Sequence, residues 1–470
     1  LQTPPEEGAK QRAVEVEVEV KIDLEPVQVT GLAAGGDGIG RLSDGRVVFI
    51  DGGVPGDRVE LADLVFKKRL ARARIGKLIE RSAQRVEPRC AHFGSCGGCL
   101  WQHVDYEAQL DAKRGIVRDA LERIGGFALA HDVEITGSPD PYGYRARARL
   151  VESGGRVGYR ARRSHSIQEI EECPILVPAA RSALADLDRS IRSTSPERVA
   201  SDSPKSVRRR RAPVEWIISA GTSGSVTTRK AGRHAGRKSK RRNHDAAARS
   251  ATKPDDEKAG GRGIPRSVTL EVLGERLRAG SESFIQGNAL LWDALAEEVR
   301  RQCTAGSDTS SPVRFIELYA GIGFLTLPLA RAGAVGVAIE SDRSALADLA
   351  ANLASSGLAK QVEVLRGRVE ERGDLAARFA AADVLLTDPP RTGLDAKVRD
   401  MIAAVGPRRL VYVSCDPATL ARDLRVFREA GYALESVRAL DLFPQTPHVE
   451  VVVRLERVAK DGTDRGKGGG

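Results

Sequence analysis

Aromatic residues make up only 4% of the 470-residue chain, and Met occurs once. Buried cores must therefore rest on aliphatic side chains, for which a hydrophobic fraction of 41% suffices. No apolar run approaches the ~20 residues needed to cross a bilayer, so a membrane-spanning helix is not expected. Leu1-Gln2-Thr3-Pro4-Pro5 has neither the basic nor the apolar region of a signal peptide. It also lacks an initiating Met, so the natural start is expected further upstream. Cysteine is too sparse, at 6 residues, for a secreted disulfide scaffold. A cytoplasmic protein with thiol or metal chemistry fits better.

Positive charge is abundant. The net charge of +10 and a pI near 9.4 point to a polyanionic partner, above all nucleic acid, with plain solubility as the alternative. A length of 470 residues predicts several domains. Residues 13–80 read as a small β-barrel of the OB type, a fold that commonly binds oligonucleotides. Val14 to Val20 alternates with Glu, and Gly-rich turns then separate short apolar runs such as Val47-Val48-Phe49-Ile50. The basic residues Lys67, Lys68, Arg69, Arg72, Arg74 and Lys77 close this unit, as an RNA contact or a solvated face. Residues 90–285 are expected to form a central α+β domain. Residues 201–265 within it read as a disordered basic insertion, beginning near Arg208 to Arg211 and broken by one strand, Val214 to Ser219. Residues 286–457 alternate strands and helices, the pattern of a doubly wound, mainly parallel Rossmann-like sheet. They end on an alternating strand, Val449 to Leu455. Residues 458–470 read as a frayed tail.

Chemistry concentrates at the ends of these strands. Glu317-Leu318-Tyr319-Ala320-Gly321-Ile322-Gly323 closes the first strand, where glycines such as Gly321 let a ligand approach the backbone. Glu340 ends the next, at the position of a ribose-hydroxyl acceptor. An NAD-type dinucleotide and a ligand-free turn are compatible with that pair alone. Thr387-Asp388-Pro389-Pro390-Arg391 adds a third element, and together the three favour S-adenosylmethionine. Arg391 stands where amine methylases usually carry an aromatic, which counts against amine methylation.

Cys415, in Val413-Ser414-Cys415-Asp416-Pro417, follows another apolar strand and falls on the same rim. Carbon 5 of uracil is too weak a nucleophile to attack a sulfonium methyl unaided. A thiolate adding to C6 makes C5 a carbanion equivalent and divides one hard step into two. The C5 proton must then leave to a base, for which Glu450 is the first candidate and His448 the second. An inert packed cysteine is the plain alternative for Cys415. Cytosine C5 methylation is weakly supported, because no second rim cysteine is visible. Cys90, Cys96 and Cys99 stand at C-x5-C-x2-C spacing, and Cys173 completes a set suited to an iron–sulfur cluster or tetrahedral zinc. A structural or RNA-binding role is expected for that set. Cys303 receives no role.

Together these residues resemble the RNA uracil-5-methyltransferase family, particularly its 23S ribosomal RNA branch, which carries an N-terminal TRAM domain and a four-cysteine cluster. The resemblance spans nearly the whole chain apart from the insertion and tails. It implies methylation of uracil C5 in RNA from S-adenosylmethionine through a covalent cysteine–C6 adduct, with 23S rRNA as substrate and tRNA as the alternative. It implies a [4Fe–4S] cluster on Cys90, Cys96, Cys99 and Cys173 in preference to zinc. Phe284-Ile285-Gln286-Gly287-Asn288 brings Gln286 to the cofactor, beside Tyr319, Glu340 and Asp388. Cys415 falls on the nucleophile and Glu450 on the proton acceptor. Phe324, Asp416 and Ala146 replace residues that are often Asn in the family, and Gly367 replaces a side chain turned toward the cofactor. A non-catalytic iron–sulfur protein that binds or assembles RNA is the rival from another class. No membrane and no obligate protein partner are expected.

Overall fold

The computed structural model describes residues 25–194, 213–222, 224–231, 266–307 and 311–458. The strand expected at Val14 to Val20, the Arg208 to Arg211 run and the tail beyond Lys460 lie outside the described residues. The described residues divide into two compact units, residues 25–31 with 38–82, and residues 32–37 with the described residues from 83 onward.

The first unit is built from β1 (Val27–Gln28), β2 (Gly31–Leu32), β3 (Gly38–Arg41), β4 (Val47–Asp51), β5 (Arg58–Phe66) and β6 (Leu70–Glu80). They form one sheet in the order β1-β5-β6-β4-β3-β2. Its core is small and aliphatic, with Val48, Ile50, Val59 and Ala71 fully buried. On β6 the period of two sends Ala71 and Ala73 inward and Arg72 and Arg74 outward. Lys67, Lys68 and Arg69, in the turn before it, are exposed.

The second unit opens with α1 (Tyr106–Ala120), capped by the Asp105 carboxylate accepting from the Glu107 amide. The short β7 (Glu134–Thr136) follows. Next come β8 (Arg147–Ser153), β9 (Arg156–Arg160), β10 (Ile167–Glu169), α2 (Pro178–Thr194), β11 (Val214–Ala220) and β12 (Val226–Lys230). The five strands pair antiparallel in the order β10-β9-β8-β11-β12. Leu184, Leu187 and Ile191 of α2 pack into their core. β11 forms where its apolar run predicts. β12 forms inside the stretch read as an insertion, where only the strand at β11 was expected. Its Val-Thr-Thr-Arg-Lys sequence is polar, but Thr227 is 1% exposed and its backbone pairs with β11. Polar composition concealed a strand that long-range pairing creates.

Beyond it, the hairpin β13 (Ser267–Val272) and β14 (Glu275–Gly280) turns at Leu273-Gly274, both at positive φ. The remaining elements are α3 (Trp292–Thr304), β15 (Arg314–Leu318), α4 (Thr326–Arg331), β16 (Val335–Glu340), α5 (Arg343–Ser355), β17 (Val362–Arg366), α6 (Leu375–Ala381), β18 (Val384–Thr387), α7 (Ala396–Val405), β19 (Arg409–Ser414), α8 (Pro417–Glu429), β20 (Tyr432–Leu440) and β21 (Glu450–Arg457). The eight-stranded sheet runs β17-β16-β15-β18-β19-β21-β20-β7. β15 to β19 are parallel, as expected of a doubly wound sheet, and β21 enters antiparallel to β19. Core clusters lie on both of its faces.

β21 corrects the reading of an alternating terminal strand. It lies between β19 and β20, and Glu450, Val451, Val452 and Val453 are successively buried because helices cover both faces. Among the described residues no helix is long and apolar enough to cross a membrane.

Candidate active site

The parallel strands β15, β16, β18 and β19 present their carboxyl ends on one rim, where open α/β sheets bind ligands. A crevice of about 720 Å³ opens there, and Gln286, Tyr319, Gly321, Glu340, Asp388, Cys415 and Glu450 all line it. Residues drawn from motifs as far apart as 286 and 450 thus share one cavity, within the 300–1,000 Å³ typical of ligand sites.

The turn after β15 leaves its backbone open to the crevice. Tyr319 (φ 63°) and Gly321 (φ 58°) both adopt the left-handed conformation, and a Cβ at Gly321 would meet nothing within 4 Å. The Glu340 carboxylate accepts from the Gly321 amide at 2.8 Å and from the Ser341 and Asp342 amides at 2.6 and 2.7 Å. It is thereby fixed at the tip of β16 with lone-pair capacity remaining for hydroxyl groups. Gln286 donates from Nε2 to Asp388 Oδ2 at 3.2 Å. Burial pushes the Asp388 carboxyl up to about 7, against the opposing effect of that bond.

Cys415 leads into α8. Asp416 is the N-cap, its Oδ1 accepting from the Thr419 amide at 2.9 Å, and Pro417 opens the helix. Asp serves this cap as Asn would, so the departure at Asp416 leaves the turn intact. Burial pushes the Cys415 thiol up to about 11, and the neighbouring Glu450 adds to this, while the Arg391 guanidinium acts in the opposite direction. Glu450, 2% exposed, is itself held well above the carboxylate range by burial and by Asp388.

The segment from Asp441 to Val449 is held by a buried polar network. Lys113 Nζ bonds Asp441 Oδ1 at 2.5 Å, with both side chains fully buried. The Gln109 side chain accepts from the Gln445 amide at 2.9 Å, and Asn288 Nδ2 donates to the Asp441 carbonyl at 3.3 Å. These partners fix where β21 begins and where Glu450 emerges. His448 stands edge-on to Phe443 and lines a different cavity. Burial, followed by Arg391, pushes its imidazole down to about 4.

That second cavity, of about 280 Å³, is lined by Cys90, Cys96, Cys99 and Cys173. All six cysteines are free thiols. Burial raises Cys96 to about 11 and Cys99 to about 12, and the sulfurs raise one another further. Among the described residues no three His, Cys, Asp or Glu side chains are grouped to hold a metal ion. The donor set itself is all thiol, the chemistry that suits iron–sulfur clusters and zinc. Arg145, Arg149, Arg391 and Phe443 line both cavities.

Several residues of the site escaped the sequence reading. Arg145, Arg147 and Arg149 lie on one face of the chain entering β8 and line the crevice, while Ala146, Ala148 and Leu150 are buried on the other. Their period of two was visible. Burial, Arg229 and Arg149 push Arg147 down to about 10, the mark of crowded positive charge. Glu317, 2% exposed, accepts from the Thr326 hydroxyl at 2.6 Å and is pushed up to about 8 by burial. Phe324 is 8% exposed and packs into the core beside the crevice. Gly367 holds φ 148°, a conformation that favours glycine, which accounts for the missing side chain. Cys303 is fully buried among apolar side chains.

Residues 269–458 match the family model of tRNA (uracil-5-)-methyltransferases, and residues 24–61 match that of the TRAM domain. A 23S rRNA (uracil(1939)-C(5))-methyltransferase of Azoarcus sp. is 34% identical over 90% of this chain and 97% of its own. The corresponding protein of Halomonas elongata is 32% identical over 91% of this chain and 88% of its own. An RNA methyltransferase of Gloeobacter violaceus, described as uncharacterized, is 35% identical over 92% and 96%. Among solved structures, the tRNA (uracil-54, C5)-methyltransferase of Pyrococcus abyssi, in complex with S-adenosyl-L-homocysteine, shares the fold. Its TM-score is 0.65, with 22% identity over 92% of this chain and all of that one. With a TRAM domain at its N-terminus and a methyltransferase fold at its C-terminus, the chain belongs to the RNA (uracil-5-)-methyltransferase family.

Proposed function

We propose that this RNA (uracil-5-)-methyltransferase acts on 23S rRNA in the cytoplasm, using Cys415 as a covalent nucleophile, Glu450 as the base and S-adenosylmethionine as methyl donor. The observation that carries this reading is the common crevice holding Cys415, Glu450 and the glycine loop. Gln286, Tyr319, Gly321, Glu340 and Asp388 would hold the donor, with Glu340 accepting its ribose hydroxyls. Bound there, S-adenosylmethionine supplies an electrophilic methyl group on a sulfonium.

Extruding the target base from its stack brings it within reach of Cys415. The Cys415 sulfur bonds C6 of the uracil, and the C5–C6 π electrons move toward C5 and the O4 enolate. Arg391 beside the sulfur, with the N-terminus of α8 behind it, favours the thiolate needed for that step. Once C5 carries its methyl group, Glu450 removes the C5 proton, the double bond re-forms, and the C6–S bond breaks to release the thiolate. Arg145, Arg147 and Arg149 offer phosphate contacts along the crevice wall, which would position the strand without reading its sequence.

Cys90, Cys96, Cys99 and Cys173 would ligate a [4Fe–4S] cluster, a group with a structural role. The relatives in Azoarcus and Halomonas support 23S rRNA, and the Pyrococcus structure supplies the tRNA alternative. The test is methyl transfer from labelled S-adenosylmethionine to deproteinised total RNA, with the nucleosides identified by mass spectrometry. We expect 5-methyluridine in the 23S fraction. Label in the tRNA fraction alone would transfer the assignment to tRNA. No label in either, with iron and sulfide intact, would favour a binding protein.

A further inference from the structure

Every cysteine of the second cavity has neighbours that bear on a bound group, and one neighbour stands apart. Tyr159 lies near the end of β9, two residues after Val157, so both side chains face the core of the antiparallel sheet. There its ring lines the cysteine cavity. Its hydroxyl oxygen is buried and completes no hydrogen bond. Buried hydroxyls are normally paired, because an unmade bond costs about 1–3 kcal/mol, so an unpaired one needs an explanation. The Cys173 thiol belongs to the core against which Tyr159 packs, and it lines the same cavity. The same register fixes the rest of the cavity to this strand. The Gly97 amide donates to the Arg160 carbonyl at 3.0 Å, and Cys96 bridges to Ala161. The cysteine loop is therefore pinned to the residues that follow Tyr159. Arg145 lines the same cavity, and its Nε donates to the Arg147 carbonyl at 2.9 Å.

We propose that the Tyr159 hydroxyl is the hydrogen-bond donor to the Cys173 sulfur when that sulfur ligates the cluster, and that it thereby raises the cluster's reduction potential. The inference rests on the iron–sulfur reading given above. A neutral thiol is a weak acceptor, which explains why the hydroxyl is unpaired here. A cluster-bound thiolate is a strong one. Hydrogen bonds to the sulfurs of such clusters stabilise the more electron-rich state. Tyr159 is a positioning and tuning residue on this account, and no catalytic step passes through it.

The experiment compares the full-length holoprotein with Tyr159→Phe, purified without oxygen and, where needed, reloaded with iron and sulfide. Iron and acid-labile sulfide are measured first, followed by a spectroscopically monitored reductive titration. The expected result is an intact cluster in both proteins, with the variant harder to reduce by roughly tenfold in the equilibrium constant, about 59 mV for a one-electron couple. Electron–nuclear double resonance of the reduced cluster in D2O should also lose one exchangeable deuteron in the variant. Equal potentials and equal deuteron signals in two iron-loaded proteins would overturn the role of Tyr159 and leave the cluster reading standing. Zinc, or no metal, in the wild-type protein would overturn both.

Discussion

Cys415 and Cys99 are both half-buried thiols raised far above an ordinary cysteine, to about 11 and about 12. Their cavities have walls in common at Arg145, Arg149, Arg391 and Phe443. What separates them is their surroundings. Cys99 has Cys96 and Cys173 as neighbours that raise it, so its ionisation is favourable only when a cation takes the proton's place. Cys415 has Arg391 beside it and Glu450 facing it, and it precedes the N-cap of α8. On the proposed reading, one thiol serves permanent ligation and the other reversible attack. The two thiols differ in position in the fold and not in residue type.

The sharpest way to break the comparison is to remove each thiol. Cys415→Ala should abolish methyl transfer, a loss of at least ~10⁴-fold for a covalent nucleophile, while iron content and RNA affinity stay unchanged. Cys99→Ala should lose iron and stability together. Turnover by Cys415→Ala would remove the nucleophile from the account.

Next in size is the base. Glu450→Gln should lower turnover by roughly 10²–10⁴-fold and leave protein joined to RNA on a denaturing gel, since addition and methylation precede proton removal. Free protein alone on that gel would point to another base.

Arg391 sharpens the contrast further. Because burial pushes the thiol up to about 11, adduct formation should quicken steadily from pH 7 to 9. Arg391→Met should slow it roughly tenfold at neutral pH, the effect of about one pKa unit on the thiolate fraction. An unchanged rate under single turnover would mean that Arg391 serves the RNA alone.

The smallest effect concerns stability. Glu317 is raised from 4.5 to about 8, so the folded state favours its protonated form. That contribution is fully present below pH 4.5 and is lost as pH rises through 8. Glu317→Gln should therefore unfold at a higher denaturant concentration than the parent at pH 9, with the difference closing in acid. A constant difference across pH would place the ionisation elsewhere.

Much of this site was legible because its motifs sit at strand ends. Glu317 to Gly323, Asp388 to Arg391 and Ser414 to Pro417 each follow a continuous apolar run, and a parallel sheet places such ends on one rim. What stayed hidden depends on partners far along the chain. Lys113 meets Asp441 across 328 residues, and nothing near either one marks the pair. β12 is polar and exists because β11 offers it a ladder. Arg145, Arg147 and Arg149 were visible as a period, but the crevice that gives them meaning forms only when β8 stands beside Phe284 and Gln286. The alternation expected of β21 failed because core clusters cover both faces of the sheet there.

The central claim is a covalent bond between Cys415 and uracil C6, and RNA carrying 5-fluorouridine tests it directly. Fluorine at C5 cannot leave as a proton, so the reaction should stop at the methylated adduct. Tandem mass spectrometry of the digested complex is predicted to find a methylated fluorouridine on the peptide containing Cys415, and none with Cys415→Ala. A complex linked through any other residue, or normal turnover with no adduct, would contradict the account.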